Sequence, residues 1–131
     1  HLFMAKLFMD SVDYENAIVQ LEFLIENSSE ESLKHIARIR ISRIKLQQNL
    51  YDEAVQILET DSMGSFEAKY EEIKGDILSK KREFSEAQAA YLKALDLLLP
   101  GEFDYEYIQM KFKDIQSEDL NEAEASKDGN A

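Results

Sequence analysis

The sequence predicts an all-α fold built from repeated pairs of helices. A short motif, in which an aromatic residue is followed by two polar residues and an alanine, occurs at residues 14–17 (YENA), 51–54 (YDEA) and 84–87 (FSEA). The three alanines are 37 and 33 residues apart, which brackets the period of about 34 residues of one class of helix–turn–helix repeat. Each motif stands where apolar residues at helical spacing resume after a break, so it marks the start of the second helix of a pair.

The residues of the motif have a physical role in packing the two helices of such a pair. The aromatic residue fills the gap to the preceding helix, and the alanine lets the two helix axes approach. Gly75 does the same from the first helix of the third pair, at a cost of about 1 kcal/mol relative to alanine inside a helix. Small residues, Ala5 and Ser42, stand at the equivalent positions of the first two pairs. The residues expected to make these contacts are Tyr14, Ala17, Tyr51, Ala54, Gly75, Phe84, Ala87, Tyr91 and Ala94.

This is the tetratricopeptide pattern, and it predicts a right-handed superhelix of three helix pairs followed by a C-terminal capping helix. Residues 2–9 are apolar around most of a helix, and a second helix is expected from residue 13 to the polar stretch 27–29, which completes a first pair at about 1–28. The second pair is expected at about 30–61. Its first helix carries most of the arginines of the chain.

The third pair is expected at about 65–99, because Pro100 cannot continue a helix and Gly101 readily ends one. Residues 102–116 then place Phe103, Tyr107 and Phe112 at amphipathic spacing, which predicts a capping helix that closes the stack. Residues 117–131 are acidic and poor in apolar residues, so the sequence predicts a disordered tail there, after a repeat domain that spans residues 1–116.

Charge and composition exclude several classes of function. The net charge is −12, with 15 basic against 27 acidic residues, so nucleic acid would be repelled. The chain lacks cysteine, which excludes disulfides and thiolate chemistry. Its wholly apolar runs, such as residues 97–99, are far shorter than the roughly 18 residues of a membrane span. The sequence begins with His1 inside a helical pattern, so we expect an excised fragment or a processed chain, in which any signal peptide or anchor would lie upstream.

No pattern of residues predicts catalysis. His1 and His35 are the only imidazoles, and neither stands near a nucleophile or a set of metal ligands in the sequence. Adjacent acidic pairs, such as residues 30–31 and 71–72, point to different sides of a helix and do not form an acid/base pair. The sequence therefore predicts a binding protein that is not an enzyme and has neither a cofactor nor a metal.

The first helix of each pair is expected to build the concave wall of the stack, where such arrays bind their partners. That wall would present a basic and apolar half and an acidic half. The carboxylate-clamp subtype captures a peptide's terminal carboxylate with lysine or arginine and asparagine, but this wall has no asparagine, and its acids would repel that group. In the alternative interpretation, the arginines simply pair with surplus acids on the surface. The predicted wall residues are Lys6, Met9, Ile39, Arg43, Leu46, Lys69, Glu72, Asp76 and Ser79.

Three stretches in order, residues 33–44 (LKHIARIRISRI), 74–78 (KGDIL) and 109–115 (QMKFKDI), resemble the YfgM-like family of ancillary subunits of the bacterial Sec translocon. The likeness covers residues 2–115. It implies a periplasmic repeat domain on a bacterial inner-membrane protein with an N-terminal anchor, whose partners are translocon subunits and a membrane-bound prolyl-isomerase chaperone. No catalytic or binding residue is carried over from the family.

The chain departs from the family pattern in its acidic tail and at residues 80–83 (KKRE), a turn where glycine is commoner. Two other functions stay open from the sequence: a soluble cytoplasmic adaptor and a structural component of another envelope-assembly complex. An apolar span with a basic flank upstream of His1 would favour the translocon subunit. The sequence leaves the oligomeric state open.

Overall fold

The structure, a computed structural model, is all-helical in the part of the chain that it describes, which confirms the all-α class. It describes the backbone of residues 2–60 and 63–129 and the side chains of residues 13–60 and 63–125. The helices are α1 (Leu2–Asn27), α2 (Glu31–Gln47), α3 (Tyr51–Gln56), α4 (Glu67–Lys80), α5 (Phe84–Asp96) and α6 (Phe103–Gly129), with a 3-10 turn at Gly64–Phe66 before α4. They divide between two compact units, residues 1–60 and 61–131.

In the first unit, α2 packs against both α1 and α3. Ala37, Ile39 and Ile41 of α2 are buried in the core, and Ala54 of α3 is completely buried. Ser42, also completely buried, donates its hydroxyl proton to the backbone carbonyl of Ala54 at 2.8 Å. The small residue at this position thus lets α3 come close and also satisfies its own polar group.

In the second unit, α5 lies between α4 and α6 and packs against both. One cluster joins Leu78 of α4 to Ala87 and Ala90 of α5, with Ile115 of α6 packed against it. A second cluster joins Tyr91 and Ala94 of α5 to Ile108, Phe112 and Ile115 of α6. The side of α6 that carries Ile108, Phe112 and Ile115 is therefore packed against α5, whereas Phe103 and Tyr107, which the sequence placed on the same face, are exposed.

The same turn leads into α3 and into α5. Asn49 and Arg82 each stand two residues before the aromatic of the repeated motif, and each adopts a positive φ, 63° and 64°. The next residue then donates its N–H back to the preceding helix, Leu50 to the carbonyl of Lys45 and Glu83 to the carbonyl of Leu78, both at 2.9 Å. This is a left-handed helix ending of the kind in which glycine or asparagine is commonest.

The first predicted pair differs in the structure, because α1 runs from Leu2 to Asn27 without the expected turn near residues 10–13. Val12 occupies the position of Asn49 and Arg82, two residues before Tyr14. A β-branched residue is a steric outlier at positive φ, so the left-handed ending is disfavoured there and the helix continues. A single helix, Leu2–Asn27, thus stands where two helices were predicted.

The predicted disordered tail also differs, because α6 continues past residue 116 to Gly129. The carboxylate of Glu122 accepts hydrogen bonds from the guanidinium of Arg82 at 2.6 and 3.2 Å, and Asp119 accepts one from the amide of Gln88 at 2.9 Å. Alanine and glutamate, frequent in this stretch, are good helix formers. The prediction of disorder is wrong for residues 117–129, and residues 130–131 lie outside the described part.

The contact between α4 and α5 can be tested at Gly75. A β-carbon at this position would stand 2.5 Å from Cε1 of Tyr91, whose ring is buried. We expect Gly75→Leu to lower the free energy of unfolding by about 2–4 kcal/mol through overpacking. Chemical denaturation followed by circular dichroism measures this. Ala89→Leu, at an exposed position of α5, is the control and should change stability by less than about 0.5 kcal/mol; equal stability of both variants would contradict the close contact.

Candidate functional site

One face of α4 carries four of the predicted wall residues. Lys69, Glu72, Asp76 and Ser79 follow one another at intervals of three and four residues, so a helix places them on the same side. Lys69 Nζ lies 2.9 Å from Glu72 Oε1, and 4.0 Å from a carboxylate oxygen of Asp104 at the start of α6. The structure therefore brings this part of the predicted wall together as a row of polar side chains.

Lys111 of α6 completes the row. Its Nζ lies 2.9 Å from Glu72 Oε2 and 3.0 and 3.1 Å from the two carboxylate oxygens of Asp76. It also lies 4.2 Å from the centre of the Tyr107 ring, at cation–π distance. Like charges at i and i+4 of a helix repel each other, so Glu72 and Asp76 depend on this lysine for compensation.

Tyr91 of α5 closes the cluster from a third helix. Its hydroxyl donates a hydrogen bond to Asp76 Oδ1 at 2.6 Å and lies 3.4 Å from the hydroxyl of Ser79. Ser79 in turn donates to the backbone carbonyl of Gly75 at 2.7 Å. The aromatic that packs on Gly75 thus also fixes the orientation of Asp76.

One polar cluster is thus formed by Lys69, Glu72, Asp76, Ser79, Tyr91 and Lys111. The shifts in pKa within this cluster follow from burial and ion pairing. Burial acts to raise the pKa of Glu72, but hydrogen bonds and charge attraction from Lys69 and Lys111 outweigh it, and the pKa lies below its usual value. Burial acts to lower the pKa of Lys111, and the bonds to Glu72 and Asp76 reverse this, so its pKa is raised. Burial and the nearby Asp76 carboxylate raise the pKa of Tyr91. Glu72 and Lys111 are therefore charged at neutral pH, whereas Tyr91 keeps its proton and is neutral.

Through these contacts the polar cluster holds α6 against α4 and α5. The side chain of Glu72 is only 2% exposed, so a partner protein has no access to it, although the sequence placed it on an open wall. Its carboxylate oxygens are already engaged by two lysines. Sequence reasoning did not assign a role to Lys111. The signal for one was its place on the apolar face of α6, between Ile108 and Ile115, where a lone cation requires a counter-charge.

In the first unit the predicted wall residues separate into buried and exposed ones. Ile39 is buried, with 8% of its surface exposed, whereas Leu46 is half-buried and Arg43 is exposed. The side chains of Lys6 and Met9 lie outside the described part of the chain. Arg43 is thus the described wall residue of this unit that is most available to a partner.

Arg43 lines a groove of about 520 Å³ between α1 and α2. From α1 the groove is lined by the apolar side chains of Ala17, Leu21 and Leu24 together with Gln20, and from α2 by Arg40, Arg43 and Ile44. This size falls within the range of about 300–1,000 Å³ found for ligand pockets. It is a groove with one apolar side and one basic side in an acidic protein.

The predicted packing residues lie mostly at buried helix contacts. Ala54, Ala87 and Ala94 are completely buried, and Phe84 and Tyr91 nearly so. The guanidinium of Arg82 stands 5.2 Å above the Phe84 ring. At the first motif, the Tyr14 hydroxyl donates to the side-chain carbonyl of Gln47, Ala17 is only half-buried, and the Tyr51 hydroxyl of the second motif bonds to Asn49. Ala17 lies in the interior of the long helix α1, whereas the alanines of the other two motifs lie near the starts of α3 and α5.

The described residues also bear on metal binding and on membrane insertion. There, no group of three or more histidine, aspartate or glutamate side chains is arranged to hold a metal ion. In the same part of the chain, no helix combines the length and the apolar character that crossing a membrane requires.

Comparison with known proteins decides the family. A family model described as a tetratricopeptide repeat-like domain matches residues 1–117. The chain belongs to this tetratricopeptide repeat-like family. A protein of Buchnera aphidicola subsp. Schizaphis graminum named "Ancillary SecYEG translocon subunit" is 35% identical over 115 residues, which are 88% of this chain and 59% of that protein. No solved structure matches the chain.

Relatives with the same name occur in other bacteria. The protein of Neisseria gonorrhoeae is 27% identical over 82% of the chain and 51% of its own length, and that of Escherichia coli is 28% identical over 67% of the chain and 43% of its own length. These relatives confirm the resemblance to the YfgM-like family and support a role in protein interaction. The matched part of the chain spans between 43% and 59% of the length of these relatives.

Substitution of Lys111 tests whether this lysine holds α6 against α4. We expect Lys111→Met to lower the free energy of unfolding by about 2–4 kcal/mol, because it leaves Glu72 and Asp76 facing each other without their shared cation. Equilibrium urea unfolding measures the change. Lys113→Met, at an exposed lysine two residues along α6, is the matched control and should be near neutral. If the two variants are equally stable, Lys111 does not hold α6 in place.

The polar cluster also predicts a pH dependence. The lowered pKa of Glu72 contributes stability that is present above its ordinary value of 4.5 and is lost as the pH falls through the lower pKa of the folded chain. We expect the free energy of unfolding to fall less steeply between pH 7 and pH 3 in Glu72→Gln than in the unmodified chain. Glu86→Gln, at an exposed glutamate, should keep the original profile. If the free energy of unfolding falls equally steeply with pH in all three proteins, the lowered pKa of Glu72 is contradicted.

Proposed function

We propose that this chain is the protein-interaction domain of an ancillary subunit of the SecYEG translocon. The observation that carries the proposal is the match over 88% of the chain to a protein that bears this name. The repeat-like domain supports it, because stacked helix pairs bury their apolar faces against each other and present extended surfaces to other proteins. In this role the domain binds its partners and catalyses no reaction.

We further propose that the domain works on the periplasmic face of the bacterial inner membrane and is held there by an anchor upstream of residue 1. Its partners would be translocon subunits and a membrane-bound prolyl-isomerase chaperone, so that the domain links the translocon to periplasmic chaperones. The family resemblance of residues 2–115 supports this arrangement. The repeat pattern likewise supports stacking of the helix pairs in a right-handed superhelix closed by α6.

Arg43 is the residue that we propose to contact a partner directly. It is exposed in the described structure and lines the groove between α1 and α2. Exposed arginines are enriched at the energetically important positions of protein interfaces. Leu46 would contribute at the half-buried edge of the same surface. By contrast, the acidic residues of the predicted wall, Glu72 and Asp76, would act through the position of α6.

The test is a pull-down of the full-length parent protein from gently solubilised membranes, with partners identified by mass spectrometry. We expect subunits of the translocon and a membrane-bound chaperone to co-purify, and Arg43→Glu to lose at least one of them. Lys80→Glu, at an exposed lysine outside the predicted wall, is the matched charge-reversal control. Co-purification of only soluble proteins or outer-membrane assembly factors would overturn the translocon proposal in favour of an adaptor or another envelope complex.

A further inference from the structure

The groove between α1 and α2 has a chemistry that indicates its occupant. One side is built by the α1 residues Ala17, Leu21 and Leu24, and the other by Arg40 and Arg43 of α2. Leu24 is 40% exposed although it is a large aliphatic side chain. An apolar surface bordered by cations favours a ligand that combines an aliphatic group with negative charge.

Within the described part of the first unit, Arg40 and Arg43 differ from the other basic side chains. Lys34 pairs with Glu31 at 3.5 Å and Lys45 with Glu53 at 3.6 Å. The guanidinium of Arg38 donates to the backbone carbonyl of Ile57, also at 3.5 Å. In the described residues, no carboxylate or carbonyl binds Arg40 or Arg43. Both guanidinium groups are therefore available on the exposed edge of the groove.

Their availability is informative because the protein has a large excess of acids, 27 against 15 basic residues. In such a chain most cations find a carboxylate nearby. Each arginine presents a planar set of donors that matches a carboxylate with two parallel hydrogen bonds. The distant acids of the chain repel an acidic ligand weakly, since charges more than about 8 Å away are largely screened at physiological ionic strength. The two arginines therefore set the local preference.

We propose that this groove binds a short segment of a partner protein in which leucine-like side chains are flanked by glutamate or aspartate. The aliphatic side chains lie against Leu21, Leu24 and Ile44, and the flanking carboxylates bind Arg40 and Arg43. The amide of Gln20 stands in the same groove and supplies a donor and an acceptor for the backbone of the segment. This proposal rests on the proposed function as an interaction domain and specifies the chemistry of its partner.

The ligand group is the side-chain carboxylate of an internal segment, which distinguishes the groove from a clamp for a chain end. A clamp for a terminal carboxylate requires lysine or arginine together with asparagine amides around one point. Here the two arginines lie three residues apart on one helix, about one turn from each other. They can therefore bind two acids that are spaced along a segment.

The test uses the whole 131-residue chain and a synthetic probe peptide of glutamate and leucine residues, acetylated and amidated so that it has no terminal charge. Fluorescence anisotropy measures its affinity, and NMR shift changes of backbone amides locate it. We expect shift changes confined mainly to residues 17–24 and 40–44. Replacing glutamate by glutamine or leucine by alanine in the probe should each weaken binding, because either change removes one half of the complementarity.

The decisive variant is the double substitution Arg40→Gln and Arg43→Gln, which should weaken binding of the probe about tenfold or more. Its matched control, Lys74→Gln and Lys80→Gln, removes two exposed lysines of the second unit and should keep the affinity within about twofold. Equal weakening by the two double variants would show attraction by overall charge and would overturn the proposal. Absence of probe binding would also overturn it, including the case in which sedimentation shows that a second copy of the chain covers the groove.

The outcome is independent of the pull-down that tests the proposed function. If the probe binds the groove but no translocon subunit co-purifies with the parent protein, the groove stands and the translocon assignment fails. If translocon subunits co-purify with the Arg40→Gln, Arg43→Gln parent as well as with the unmodified one, and the probe does not bind, the assignment stands and the groove proposal fails.

Discussion

The contact between Gly75 and the ring of Tyr91 is the constraint on which most of the second unit depends. The ring fills the volume that a β-carbon would take, which brings α4 and α5 close together. At this distance the Tyr91 hydroxyl reaches Asp76, and the oriented carboxylate of Asp76 helps to bind Lys111 of α6. A packing requirement of the repeat thus determines where an ion pair forms, and the ion pair in turn fixes the capping helix.

The charges of the chain serve two different purposes in the two units. In the second unit Lys69 and Lys111 both form ion pairs with the buried carboxylate of Glu72. Burial of this carboxylate costs desolvation energy, which the hydrogen bonds from the two lysines offset. In the first unit Arg40 and Arg43 make no such pair in the described structure, so their charge is directed to the groove. A net charge of −12 therefore says little about the charge that lies along one particular surface of the protein.

The turn that ends α2 and α4 explains both a success and a failure of the repeat pattern. Asn49 and Arg82 accept the left-handed backbone conformation that this turn needs, and the helices α3 and α5 begin two residues later, as the sequence predicts. The YENA motif at residues 14–17 follows the same pattern but comes after Val12, for which that conformation is sterically unfavourable. Ala17, Leu21 and Leu24 lie on this continuous helix and line the groove.

The sequence by itself determined the helical class, the positions of α2 to α5 and the family, because motif spacing, helical periodicity and helix-ending residues are local properties that one chain displays directly. Tertiary structure decided the rest. The sequence placed Glu72 on an open surface, whereas the structure pairs it with Lys111, 39 residues later. The sequence predicted a disordered acidic tail, whereas the structure shows hydrogen bonds from Arg82 and Gln88 to it. Such pairings depend on which helices lie side by side, and helical periodicity contains no information about distant partners.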